Sequence, residues 1–432
     1  MKQKRPFMAI SLVKLKVQEL KPGMYVAELD RPWLDTPFLF QGFTIRSNDE
    51  IEELARHCQY VFIDVELGAP PVDRPAAAAG ETTTSKVERT TPADAPVFTA
   101  PAAVDSIKPR PGRYQDAVPM EEELVEAKQV RRHVTSVVND IMTAARAGNA
   151  IDSVALREAL NSMVDSIIRN PDAMAWLTQL RERKSLIYQH AINCSVWMII
   201  FGRSLGLDRS ALENLAMVGL LFDVGKSRLP PGLVTRKPPL SPEDATQLRR
   251  HVDFSIEILQ KTPGISPQVV AGVWSHHEHF DGTGFPNGLR GTDIPVFGRM
   301  AGIVDWYQAT IKPYDGRPAV ASMQAVEQLH QMRDKKFQAE IVDQFVQAVG
   351  VYPTGTLVEL NSGEVGVVIA QNRTRRLQPK VMVIMNAARE RLESFEPVDL
   401  MMQSEHRAGE ELRIISSLEA GAYGIDPAEL YL

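Results

Sequence analysis

The sequence predicts a mainly α, multidomain protein: a helical bundle preceded by a small α+β module and followed by a short β segment. Three observations predict it. Apolar residues recur at intervals of three and four from about residue 120 to 350, the period of helices that turn one face to a core. Residues 68–119 are rich in Pro, Ala and Thr and nearly free of large apolar side chains. Around residue 349 the text changes to apolar runs divided by Gly and Asn turns, the signature of strands.

Residues 1–67 read as the α+β module. Pro22-Gly23 signals a turn ahead of MYVAEL, FLFQGFTI reads as a strand, and Ser47 with Glu50 forms a capping box that opens the helix NDEIEELARHC. The strand YVFID closes the unit, whose core is too small for a catalytic domain and suits a sensory or docking module. Residues 68–119 cannot bury enough surface to offset their ordering entropy and are expected to be a disordered linker. In the helical domain, 120–350, Ser241-Pro242 and Ser266-Pro267 open two helices. Strands are expected within 351–400, and 401–432 reads as a polar tail.

Composition narrows the function. The chain has 432 residues, 44% hydrophobic and 24% charged, enough for two or three domains. Its net charge of −6 and pI near 5.9 argue against a nucleic-acid polymer as partner, while a local Lys/Arg pocket still allows a small anion. Cys58 and Cys194 have neither disulfide nor zinc spacing, which suits a reducing compartment. The N-terminal text has no apolar signal core, and runs such as VWMIIF fall far short of the ~18 residues of a membrane span. A cytoplasmic protein is expected.

Within the helical domain, ionisable residues stand on faces the pattern buries. Asp223 follows VGLLF, and Asp305 follows MAGIV. A buried carboxylate is costly unless paired, hydrogen-bonded or bound to a metal. His190 precedes a helix whose inner face would carry Cys194, Trp197 and Phe201, His251 shares a stripe with Leu248, Ser255 and Leu259, and His276-His277 end the stripe of Val269 and Val273. On a helix, adjacent residues point about 100° apart and could serve two neighbouring ions. A single inward histidine is usually a core residue. The joint pattern of imidazoles and carboxylates instead suits first-row divalent metals.

Four segments carry a resemblance: YQHAINCSV at 188–196, GLLFDVGKSRLPPGLVTRKPPLSPED at 219–244, HHEHFDGTGFPNGLRG at 276–291 and RMAGIVDWYQA at 299–309. In order, interval and loop, the stretch from Tyr188 to Met385 resembles the HD-GYP family of bacterial cyclic di-GMP phosphodiesterases, a branch of the HD-domain metal phosphohydrolases. The N-terminal text is similar to the small domain of unknown function that often precedes it. The resemblance implies a helical HD-type bundle and two-metal hydrolysis of a cyclic di-GMP phosphodiester linkage. It implies His190, Asp223, His251, His276, His277 and Asp305 as ligands of one or two Fe or Mn ions, with Asp223 bridging and catalytic. Lys226 would contact substrate phosphate, and the loop Gly284, Phe285 and Pro286 would meet substrate or a partner such as a diguanylate cyclase.

The departures from this pattern are specific. Phe222 stands where the family has the histidine of the HD pair, and a phenyl ring cannot coordinate. Leu186 leaves no acid for the third metal of some members. Gln308 replaces an Asp, His279 an Arg, Phe285 the loop tyrosine, and KPYDG at 312–316 the usual DRPY text. The losses cluster at one metal position. A signalling protein with impaired hydrolysis is therefore expected, with an active phosphodiesterase as the alternative and partner docking at the GFP loop as a third reading.

Overall fold

The computed structural model describes residues 12–30, 43–45, 48–64, 112–179, 186–372, 375–402, 412–419 and 421–425. The chain forms two compact units, Met1–Val97 and Phe98–Leu432.

In the first unit, β1 (Leu12–Lys16), β2 (Tyr25–Leu29), β3 (Phe43–Thr44) and β4 (Tyr60–Asp64) make an antiparallel sheet in the order β1-β4-β2-β3, with α1 (Asn48–His57) between β3 and β4. Alternation builds it: Val61 and Ile63 of β4 are buried with Val26, Met24 and Leu54. On the opposite side Lys14 sits 3.3 Å from the centre of the Tyr60 ring. The turn expected at Pro22-Gly23 forms, with Gly23 at φ +96°. Ser47 and most of FLFQGFTI lie outside the described residues.

The second unit is mainly helical: α2 (Met120–Arg146), α3 (Ser153–Arg169), α4 (Pro171–Thr178), α5 (Leu186–Ser204), α6 (Arg209–Leu221), α7 (Pro231–Val234), α8 (Pro242–Arg249), α9 (His251–Gln260), α10 (Pro267–Ser275), α11 (Val296–Ile311), α12 (Ser322–Gln331) and α13 (Ala339–Val349). The expected caps form: Ser241 accepts from the Asp244 N–H and Ser266 from the Val269 N–H. Helix α5 is buried on every side from His190 to Arg203, as a central helix must be. Trp197 and Phe201 on α5 meet Tyr307 on α11 and Phe345 on α13 edge to face, at 6.2 and 5.4 Å between ring centres. This aromatic packing sets the height of α11 against α5.

Two expected boundaries change. The linker was expected to run to residue 119; residues 65–111 lie outside the description, but its last stretch docks on the bundle. Tyr114 donates to the Leu207 carbonyl, Asp116 pairs with Arg203, and the Ala117 N–H meets the Arg169 carbonyl, each at 2.8 Å. The expected tail also contributes structure. β5 (Leu357–Leu360), β6 (Val365–Ala370), β7 (Lys380–Met385), β8 (Arg391–Asp399) and β9 (Ile414–Ser417) form one antiparallel sheet, ordered β8-β7-β6-β5-β9. Strand β9 is only four residues long and half polar, too short for alternation to reveal it, and it is specified by pairing Val358 with Ser417 and Leu360 with Ile414.

Candidate metal centre

Five elements converge on one carboxylate. Helix α6 ends at Leu221, Phe222 caps it, and Asp223 follows at φ −103°, ψ 7°, the sparsely populated bridge region. A 3₁₀ turn, Val224–Arg228, then brings Lys226 back over Asp223, with Nζ 2.5 Å from Oδ2. The turn lies hard against the start of α9: a Cβ on Gly225 would stand 2.1 Å from the His251 carbonyl oxygen. Only glycine permits that approach. Ser255 ties the same junction, its Oγ donating to the Phe222 carbonyl at 3.0 Å and accepting from the Gly225 N–H at 2.9 Å. Ser255→Ala is expected to cost about 1–3 kcal/mol by leaving the buried Gly225 N–H unpaired, read as a lower urea midpoint at unchanged slope.

All six expected ligands meet there. One donor each from Asp223, His251, His276 and His277 lies within 4.8 Å of the others, and so do donors from His190, Asp223 and Asp305, with Asp223 common to both groups. Asp223 Oδ1 is 3.3 Å from His251 Nε2 and 3.8 Å from His276 Nε2, and Oδ2 is 3.8 Å from His190 Nε2. His190 Nε2 is 2.9 Å from Asp305 Oδ1, and His277 Nε2 is 3.2 Å from His251 Nε2. The helical placement expected for the adjacent pair is corrected. Helix α10 ends at Ser275, His276 is its C-cap and His277 lies beyond it, so the two rings face each other at 4.0 Å instead of diverging.

The donor set fits a divalent cation. His251 and His276 each donate Nδ1–H to a backbone carbonyl at 2.6 Å, of Leu248 and Val273, which leaves both Nε2 lone pairs aimed at Asp223. Among the described residues Asp223 Oδ1 and His276 Nε2 are buried without a hydrogen-bond partner. Lone pairs that converge in a buried space call for a cation.

The electrostatics agree. Burial raises the Asp223 carboxyl, yet Lys226 and the imidazoles of His251, His276 and His190 hold it below the usual carboxylate range. Burial likewise opposes ionisation of Asp305, and its hydrogen bond to His190 overrides that. Burial, aided by Lys226, pushes His251 down to about 3. Burial also lowers His276 and, together with His276 and His251, lowers His277. Neutral imidazole, the coordinating form, therefore prevails at neutral pH. Lys226 stays protonated because Asp223 outweighs its burial.

Phe222 lies inside this cluster. Its ring is fully buried, stacks on His276 at 4.8 Å with 19° between planes, and is 6.2 Å from the His190 ring. The other departures serve other ends. Gln308 accepts from the Trp197 indole N–H at 2.9 Å in the core, and His279 bonds Thr283 in the following turn. Leu186 is 52% exposed.

Three site residues escaped the sequence reading. Tyr314, within KPYDG, accepts from Lys226 Nζ at 2.8 Å and sets its ring edge on His190 at 4.9 Å. Glu278 accepts from the Asn287 and Leu289 N–H groups and so holds the base of the GFP loop; its place in HHE was the available signal. Arg249 lies over the Phe285 ring, 5.0 Å from its centre. In the loop, a Cβ on Gly284 would fall 2.2 Å from the His279 nitrogen, and Phe285 stacks on His277 at 4.6 Å. Glu278→Ala is expected to free this loop, seen as faster proteolysis and faster amide exchange at Asn287 and Leu289 with the bundle unchanged.

A helical bundle with these donors is an HD-type domain, and the chain belongs to the HD-domain family. Residues 175–341 match the HD domain, 12–156 the domain of unknown function DUF3391, and 357–406 a KOW domain associated with HD domains. Among curated proteins it is similar to the cyclic di-GMP phosphodiesterase PA4108 of Pseudomonas aeruginosa, 30% identical over 97% of this chain and 93% of that one. The cyclic di-GMP phosphodiesterase PdeB of Borreliella burgdorferi is 24% identical over 42% of this chain and 47% of its own length. Among solved structures, Bd1817, an HDG"Y"P protein from Bdellovibrio bacteriovorus, aligns with a TM-score of 0.45 at 15% identity, over 78% of this chain and 98% of that one. Among the described residues no helix is long and apolar enough to cross a membrane.

Proposed function

We propose that this chain is a cyclic di-GMP signalling protein whose HD-GYP domain binds the dinucleotide at the Asp223 cluster and hydrolyses it weakly, because Phe222 replaces a metal ligand. The observation that carries the reading is the Phe222 ring stacked on His276, within the donor cluster and without a donor atom. PA4108, named a cyclic di-GMP phosphodiesterase, supports the choice of ligand.

Asp223, His251, His276 and His277 would hold one Fe or Mn ion, and His190, Asp223 and Asp305 a second, weaker one. Such ions, when bound, supply Lewis-acid charge to a phosphodiester and lower the pKa of water. The chain's own residues orient the reaction. Asp223 stays ionised, and Lys226, buried and held between Asp223 and Tyr314, keeps an ammonium at the site for a phosphate oxygen. Phe285 is turned onto His277, so the loop is assigned to the ligand's side of the site and no cyclase partner is proposed.

A second reading, an active phosphodiesterase, is favoured by the four-donor group, which is complete without position 222. Metal content of anaerobically purified protein, with cyclic di-GMP turnover on the same sample, separates the two. About one ion per chain with turnover reduced by more than the ~10- to 100-fold of an outer-shell change is expected. Two ions with rapid turnover would replace this reading with the second.

A further inference from the structure

Of the arginines carried by the segments around the cluster, Arg228 pairs with Glu257 at 2.5 Å, Arg236 pairs with Asp244, and Arg250 lies over Phe254. Like Arg250, Arg249 is exposed and among the described residues makes no ion pair with a carboxylate, but the ring it lies over is that of Phe285, and it closes α8 two residues before His251. Phe285 is in turn stacked on His277, so a continuous line of contacts runs from the metal cluster to this unneutralised cation. The charge of Lys226, inside the cluster, is already matched by Asp223.

Cyclic di-GMP carries two phosphodiester groups, each a monoanion. One can occupy the Asp223 cluster, and the macrocycle holds the second away from it. A guanidinium fork is the side chain best matched to a pair of phosphate oxygens, and a ring that fixes it beforehand reduces the entropy lost on capture.

We propose that Arg249, held over Phe285, receives the second phosphodiester of a cyclic dinucleotide, so that the Gly284-Phe285-Pro286 loop serves ligand capture by positioning Arg249. The inference rests on the cyclic dinucleotide reading above, and the test separates the two. Full-length wild type, Arg249→Gln and Arg249→Lys are titrated calorimetrically with cyclic di-GMP and with linear GpG, which has a single phosphodiester.

Arg249→Gln should raise the Kd for cyclic di-GMP by about 10- to 100-fold, with Arg249→Lys intermediate, while the Kd for GpG changes by less than about 2-fold. Unchanged cyclic di-GMP binding in Arg249→Gln overturns the proposal. Equal losses for both ligands also overturn it, since they show a general effect on the loop. If wild type binds GpG but not cyclic di-GMP, the two-phosphate fit is wrong. Wild type that binds neither removes the cyclic dinucleotide reading itself.

Discussion

Phe222→His should raise the metal content of the protein toward two ions per chain and make its stability depend on metal far more than in the wild type. Two opposing effects are expected. Without metal, exchanging a fully buried phenyl ring for an imidazole costs about 1–3 kcal/mol of apolar burial. With Mn²⁺ present, the new ligand adds binding energy that only the folded state receives, and stability grows with the logarithm of metal concentration over Kd. Thermal melts with and without Mn²⁺, beside elemental analysis, read both. A variant that melts lower and gains neither metal nor a larger Mn²⁺ shift would move the cause of the proposed impairment from Phe222 to the short His190–Asp305 pair, 2.9 Å apart, whose donors satisfy each other.

Asp223→Ala has the largest expected effect on both metal and fold. Asp223 is the donor shared by the two groups, so metal should be lost from both. It is also the carboxylate that neutralises buried Lys226, and removing one partner of such a pair costs about 3–5 kcal/mol. The double variant Asp223→Ala/Lys226→Met removes the orphaned ammonium and should recover most of that stability while staying metal-free. Chemical denaturation with elemental analysis on the three proteins separates the roles. Full metal content or unchanged turnover in Asp223→Ala would end the metal reading, and failure of the double variant to recover would mean that Asp223 supports the fold through its imidazole neighbours instead.

The six candidate ligands were legible because each is a polar group at a position where period and neighbours demanded burial, and the caps at Ser241 and Ser266 were legible because capping is a local event. What escaped depends on contacts between distant segments. Gln308 read as a damaged metal position, yet it is the partner of Trp197, 111 residues away. Tyr314 lies in a segment with no periodicity and Arg249 beside the Leu248–His251 stripe, and their contacts exist only once distant segments meet: Tyr314 with Lys226, and Arg249 with Phe285 of the GFP loop. The mutual approach of His276 and His277 was missed because helical geometry was extended past Ser275, where the chain has already left the helix.

The pairing of β9 with β5 bears on how the second unit can be shortened. Because β5 lies between β6 and β9, a chain cut at the expected boundary of residue 400 would lose not a loose end but the cover of β5, exposing its backbone donors and acceptors as a template for other chains. It would also lose the Ser417 hydroxyl that accepts from the Met323 N–H in the first turn of α12, so trimming aimed at a better-behaved fragment would yield a stickier one.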